Sequence, residues 1–184
     1  WIAVGIMRLF HVPASDVGVR LGQVFAVASV SGVVVANLAA RQLSKRSADL
    51  APVHIAEGGA LIAASVSLLY LIAPSATAFY WITAVQIAAA FGGLTLSPTV
   101  SQATSPTRLR ARLIALGGIF YTVFGALSPL VVGLLSDAIG KEPRALLMAM
   151  LSVALPCYVG GVLLLRLSER TLPGTLQAAR TADL

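Results

Sequence analysis

Of the seven acidic residues in this 184-residue chain, Glu57 alone falls inside a segment apolar enough to cross a bilayer. A carboxylate at the centre of a spanning helix costs about 2.5–3.5 kcal/mol on insertion scales, and those that persist serve proton relays or ion paths. Proton coupling is the chemistry Glu57 offers. The plainer reading places it about one and a half turns from a helix end, near His54, where water reaches it. Gln86 follows Thr83 and Phe79 by one and two turns, a polar-aromatic stripe that Ala90 and Gly93 continue with small residues. A carboxamide both donates and accepts, so Gln86 could orient an uncharged polar group of a substrate; a hydrogen bond to a neighbouring helix is the equal alternative. Gln23 and Tyr121 are weaker candidates of the same kind.

Gly125, Pro129 and Gly133 fall at i, i+4 and i+8. Small residues on one face admit a neighbouring backbone, and Pro129 removes the hydrogen bond to the Gly125 carbonyl and bends the helix. Such a face is a hinge or sliding surface, or an ordinary packing seam; Gly117 and Gly118 extend it. Asn37, Arg41, Lys45 and Arg46 cluster at one helix end and its loop. They read as a gate, or as topology determinants touching anionic headgroups. Trp1, Tyr70, Tyr80 and Trp81 form an expected interfacial aromatic belt.

Metal and redox chemistry find no support. His11 and His54 are expected at opposite interfaces, and the lone Cys157, expected as an inert buried thiol, can form no intrachain disulfide. No cofactor and no metal are expected. The net charge of +6 does not mark a nucleic-acid binder, because no basic patch is interleaved with aromatics.

The elements that hold these residues are dictated by lipid. From Gly58 through Thr107, fifty residues pass without an Asp, Glu, Lys or Arg. As a helix that stretch would extend ~75 Å against a hydrocarbon core of ~30 Å, so it must cross twice, turning at Pro74-Ser75-Ala76-Thr77. Charge-free windows also cover Leu21 to Ala40, Leu113 to Ser136 and Ala145 to Leu165. Only 11% of residues are charged and the mean hydropathy is +0.89, where a soluble domain is about a quarter charged. The expectation is an all-α, polytopic membrane bundle with complete spans near 17–41, 52–73, 77–102, 109–136 and 144–167. Residues 1–10 are the end of a further helix whose beginning lies outside the chain, which is expected to be a fragment. Ser15 or Asp16 is expected to cap the first complete span. Residues 168–184, with Pro173-Gly174, are expected to form a loosely attached tail.

Basic residues set the orientation. One side carries Arg41, Lys45, Arg46, Arg108, Arg110, Arg112, Arg166, Arg170 and Arg180; the other carries Arg8, Arg20, Lys141 and Arg144. The richer side is expected in the cytoplasm, with the C-terminus, in a plasma (inner) membrane. Arg20-Leu21 and Arg112-Leu113 open two spans of opposite sense, with Gly32 against Gly125 at the same offset. That is a faint inverted repeat of the transporter kind.

Four pieces resemble the C-terminal half of a major facilitator superfamily transporter, nearest its spinster-like branch. Arg8-Leu9-Phe10-His11-x4-Asp16-Val17-Gly18-x2-Leu21-Gly22 is similar to the link from helix seven into eight. Asn37-Leu38-Ala39-Ala40-Arg41-Gln42-Leu43-Ser44-Lys45-Arg46 sits where the family keeps a basic loop. Pro98-x3-Gln102-x3-Pro106-x5-Arg112 looks like the link between helices ten and eleven. Gly125-Ala126-Leu127-Ser128-Pro129-x3-Gly133-Leu134-Leu135-Ser136-Asp137 is similar to the glycine-proline motif of helix eleven. Ala40 stands where the family has Asp, and Ser128 where Gly is common. The resemblance implies that residues 1–167 are helices seven (in part) to twelve. It puts Gln86, Thr83 and Phe79 on a cavity-lining helix, Gln23 and Tyr121 on its flanks, and Glu57 on a peripheral one. Gly125, Ser128, Pro129, Gly133, Arg41 and Lys45 take packing or gating roles. Partners are then membrane lipid, an N-terminal half and a small organic solute, neutral or amphipathic, moved by alternating access. The rivals are a half-size protein that dimerises into a carrier or structural subunit, and an intramembrane enzyme. The enzyme lacks clustered acids, His or a Ser with its base at one depth.

Overall fold

A computed structural model describes residues 1–140, Glu142 and 144–182, with Arg180 and Ala182 as backbone alone. Lys141, one of the basic residues counted above, lies outside the described residues, as do Asp183 and Leu184 of the tail. The described residues form seven α-helices and no strand: α1 (Ile2–Phe10), α2 (Ala14–Ser44), α3 (Ala51–Leu68, continued by a 3-10 turn over Leu69–Ile72), α4 (Ala76–Leu94), α5 (Ser97–Ala103), α6 (Arg110–Ile139) and α7 (Ala145–Ala182). Five segments are long and apolar enough to cross a membrane: Ala14–Ser44, Ala51–Ile72, Ala76–Ala103, Arg110–Ile139 and Ala145–Ala179. They are those of a multi-pass membrane protein. Their surface agrees: Val27, Trp81 and Leu164 are about 70% exposed, a contiguous apolar coat that water would not tolerate.

Local chemistry moves several boundaries. α2 begins one residue after Pro13 and carries no side-chain cap, so neither Ser15 nor Asp16 caps it. Instead Ser15 Oγ donates to Asp16 Oδ1 at 3.4 Å. Proline presets the φ of helix entry and has no N–H to lose. His11 ends α1 in the left-handed region at φ 53°, its N–H donating to the Met7 carbonyl. Ser75 is a true cap, accepting from the Ala78 N–H at 3.2 Å, and it fixes the expected hairpin. The expected 77–102 span breaks at Thr95-Leu96, because Pro98 cannot donate to the Leu94 carbonyl and opens α5 afresh.

α4 is the hub. It takes α2 on one side and α3 on another; α7 packs on α3, and α6 on α7. Ala28, Gly32 and Ala36 at i, i+4 and i+8 are the buried stripe of α2's apolar part. A Cβ on Gly32 would lie 2.2 Å from the Ala88 carbonyl oxygen, and one on Gly59 would lie 2.6 Å from that of Ala89. Backbones this close are how helices associate where lipid removes the hydrophobic drive. At one end of the bundle Ile6, Val17, Tyr70, Phe79, Tyr80 and Leu147 form a buried cluster, with the Tyr70 and Phe79 rings 4.4 Å apart.

The expected tail is not loose. α7 runs unbroken through Pro173 to Ala182. Leu172 and Leu176 are buried with Val53 of α3, against Leu50 and Val100. Leu172, Leu176 and Ala179 recur at i, i+4 and i+7, and all three are buried. The stripe prevails over the Pro-Gly breaker. α6 is the opposite case: every residue from 111 to 131 is exposed, and Val132 and Ser136 are its buried residues.

Candidate functional site

Between α1, α3, α4, α6 and α7 lies a cavity of about 500 Å³, lined among others by Ser67, Tyr70, Gln86, Ser128, Cys157 and Tyr158. Its volume falls in the usual range for small-molecule pockets, which are apolar with a few placed polar groups. Among the described residues no Asp, Glu, Lys, Arg or His lines it.

One hydrogen-bonded chain makes the polar wall. The Tyr70 hydroxyl donates to Gln86 Oε1 at 2.6 Å and lies 3.0 Å from Thr83 Oγ1, so its single hydrogen is shared between them. Thr83 Oγ1 donates to the Phe79 carbonyl at 2.8 Å. On the other side Gln86 Nε2 donates to Ser67 Oγ at 2.8 Å, and Ser67 donates to the Ala63 carbonyl at 2.6 Å. A donor on one end of the carboxamide and an acceptor on the other fix its orientation. One N–H and one Oε1 lone pair of Gln86 are left over. The helices dictate this: Ala63 and Ser67 share a face of α3, as Phe79, Thr83 and Gln86 do of α4, at the three- and four-residue spacings that align side chains.

The candidates from sequence separate accordingly. Gln86 and Ser128 reach the cavity. Thr83 and Phe79 are buried behind it, at 1% and 0% exposure, and act on it only through Tyr70. Gln23 is exposed on α2 and Tyr121, 71% exposed, on α6; neither lines the cavity. Gly125 meets no neighbour that a Cβ would touch, whereas a Cβ on Gly133 would sit 3.6 Å from the Trp1 ring. The helix continues through Pro129. Of the expected seam, only the Gly133 end is in contact.

Glu57 is paired. Arg166 Nε donates to its Oε1 at 2.5 Å, and one turn away along both helices His54 Nε2 lies 3.2 Å from Glu169 Oε1. These two contacts join α3 to α7 outside the cavity lining. Arg41 and Lys45 are exposed.

Three cavity residues were misread or missed. Tyr70, expected in an interfacial belt, is 5% exposed with its hydroxyl turned to Gln86; Tyr80 is also buried, while Trp1 and Trp81 are exposed. Cys157, expected buried, is exposed on the cavity wall. Tyr158 beside it drew no notice. A signal existed for the first: Ser67, Tyr70, Thr83 and Gln86 straddle the Pro74 hairpin at spacings that face one another. Among the described residues no three His, Cys, Asp or Glu come together as a metal site.

No protein-family model matches the chain, and no curated protein matches it. The fold and cavity define a multi-pass helical membrane protein with a half-open, hydrogen-bonded pocket whose described lining side chains carry no charge.

Proposed function

We propose that this chain is part of a secondary active transporter of the major facilitator superfamily kind, forming its C-terminal half. It carries a small neutral or amphipathic organic solute across the plasma (inner) membrane by alternating access. The observation that carries the reading is the cavity wall: an apolar space in which Gln86, held by Tyr70 and Ser67, offers one spare donor and one spare acceptor. A solute with a hydroxyl or carbonyl and an apolar body satisfies such a wall. A charged one would enter an apolar site without a counter-charge, at the desolvation cost that excludes ions. α6 supports the same reading. Its exposed glycines and Pro129 present an unpacked face to the expected N-terminal half, against which it would rock.

The test uses the full-length protein. A panel of neutral amphipaths should raise its thermal midpoint where amines and carboxylates of similar size do not. For the solute so found, Gln86→Ala should raise KM about tenfold, the worth of one hydrogen bond in a dry site. Unaltered transport kinetics would remove Gln86 from the pathway.

A further inference from the structure

α2 and α3 both press on α4 but leave a groove between them of about 350 Å³, walled by Val35, Ala39, Ile55, Ile62 and Val85 over the α4 backbone. Its one hydroxyl, Ser31, already points at the Val27 and Ala28 carbonyls at 2.8 and 3.1 Å, so along its length the wall asks for no polar occupant. His54 lines one end. That end lies under the 45–50 connection, because Ala39 and His54 are the lining residues nearest the α2 C-terminus and the α3 N-terminus. Arg41, Lys45 and Arg46 stand there, all exposed, and none forms an ion pair among the described residues.

The geometry points to a seat for one anionic phospholipid, an acyl chain lying in the groove and its phosphate held at the mouth by Arg41, Lys45 and Arg46. Closing α2 onto α3 would gain nothing hydrophobic inside a bilayer, while an empty groove forfeits dispersion contacts along its whole lining. Hydrocarbon restores those contacts. It cannot select a headgroup, and the cations do: each favours an anionic lipid by about fivefold. The inference needs the bilayer and not the transport reading.

Purified protein is supplied with phosphatidylglycerol or phosphatidylcholine, and bound lipid is counted by native mass spectrometry. The parent should hold one phosphatidylglycerol over phosphatidylcholine by about tenfold or more. Arg41→Gln, Lys45→Gln and Arg46→Gln together should bring the two lipids to parity. Gly58→Leu should expel both, since a Cβ at Gly58 enters open groove space with nothing within 4 Å. Equal retention of the two lipids by the parent, or unchanged retention in Gly58→Leu, overturns the seat. Should that variant fold poorly, a nitroxide on the acyl chain of phosphatidylglycerol should broaden a label at Ile62→Cys and spare one at Leu164→Cys, both with Cys157→Ser. Equal broadening would mean annular lipid and overturn it. Disulfide-linked dimers through Ile62→Cys would give the groove to a second copy of the chain, and overturn it as well.

Discussion

Glu57 shows how a single contact redirects a residue's chemistry. In sequence it is a carboxylate in an apolar segment, the type that proton-driven carriers use. In the structure Arg166 holds it, and the His54–Glu169 pair lies one turn along. The pair ties α3 to α7, and that structural task accounts for a carboxylate at this position without proton coupling. Under the transport proposal, Glu57→Gln in the full-length protein is therefore expected to keep the transport pH profile, with rates within about twofold of the parent. A flattened profile would restore Glu57 as the coupling group. None of this was legible in the chain, because Arg166 stands 109 positions away and no local spacing announces the pair. Gln86 was more legible: its helix, its face and its two possible roles could be read from the stripe it shares with Thr83 and Phe79. The structure meets the helix-bonding role through Ser67 and Tyr70 and still leaves the carboxamide on a cavity. Tyr70 was hidden by its type, since a tyrosine near a span end reads as an interfacial anchor.

At the scale of elements, hydropathy located all five spans, and the errors lie at punctuation. Pro98 broke a helix that composition ran straight through; Pro173 failed to break one that composition ended. The difference is packing. On either side of Pro173, Leu172 and Leu176 find Val53 and Leu50, and the buried contacts outweigh one missing hydrogen bond. Small-residue spacing on α6 predicts a seam, and the described residues show one closed on α2 instead. Gly125 has an open flank, whereas Gly32 lies against the Ala88 carbonyl with no room for a methyl group. Both have the four-residue spacing; which of them has a partner is a tertiary fact. Gly32→Ala is accordingly expected to destabilise the bundle by at least about 1–3 kcal/mol, the range for overpacking. Gly22→Ala, with nothing within 4 Å, should be neutral. The fraction of protein still monodisperse in detergent after a heating series measures both. Equal losses would mean that α2 does not rest on α4 through Gly32.

For the molecule as a whole, the asymmetry of burial and the asymmetry of charge pose one question. α6 is exposed along residues 111–131, while α4 is packed on several sides, so the bundle is closed on one flank and open on the other. Open flanks of apolar helices are settled by lipid or by further helices, and the proposed transporter assigns α6 to the second. The charge asymmetry then gives the proposed transporter an expected topology. In the proposed transporter the excess of Arg41, Lys45, Arg46 and Arg108 would put the connections at 45–50 and 104–109 on the cytoplasmic side, and the 73–75 hairpin outside. Ser44 and Ser75 are both exposed, so each can be replaced by Cys, with Cys157→Ser, without disturbing a buried contact. Ser75 caps α4, and losing that cap should cost about 1 kcal/mol, too little to invert a bundle of several apolar spans. A membrane-impermeant maleimide applied to intact cells should label Ser75→Cys and leave Ser44→Cys untouched until the cells are opened. Labelling of Ser44→Cys in intact cells would turn the bundle over. It would move the basic loops outside, against the charge bias that orients the proposed transporter.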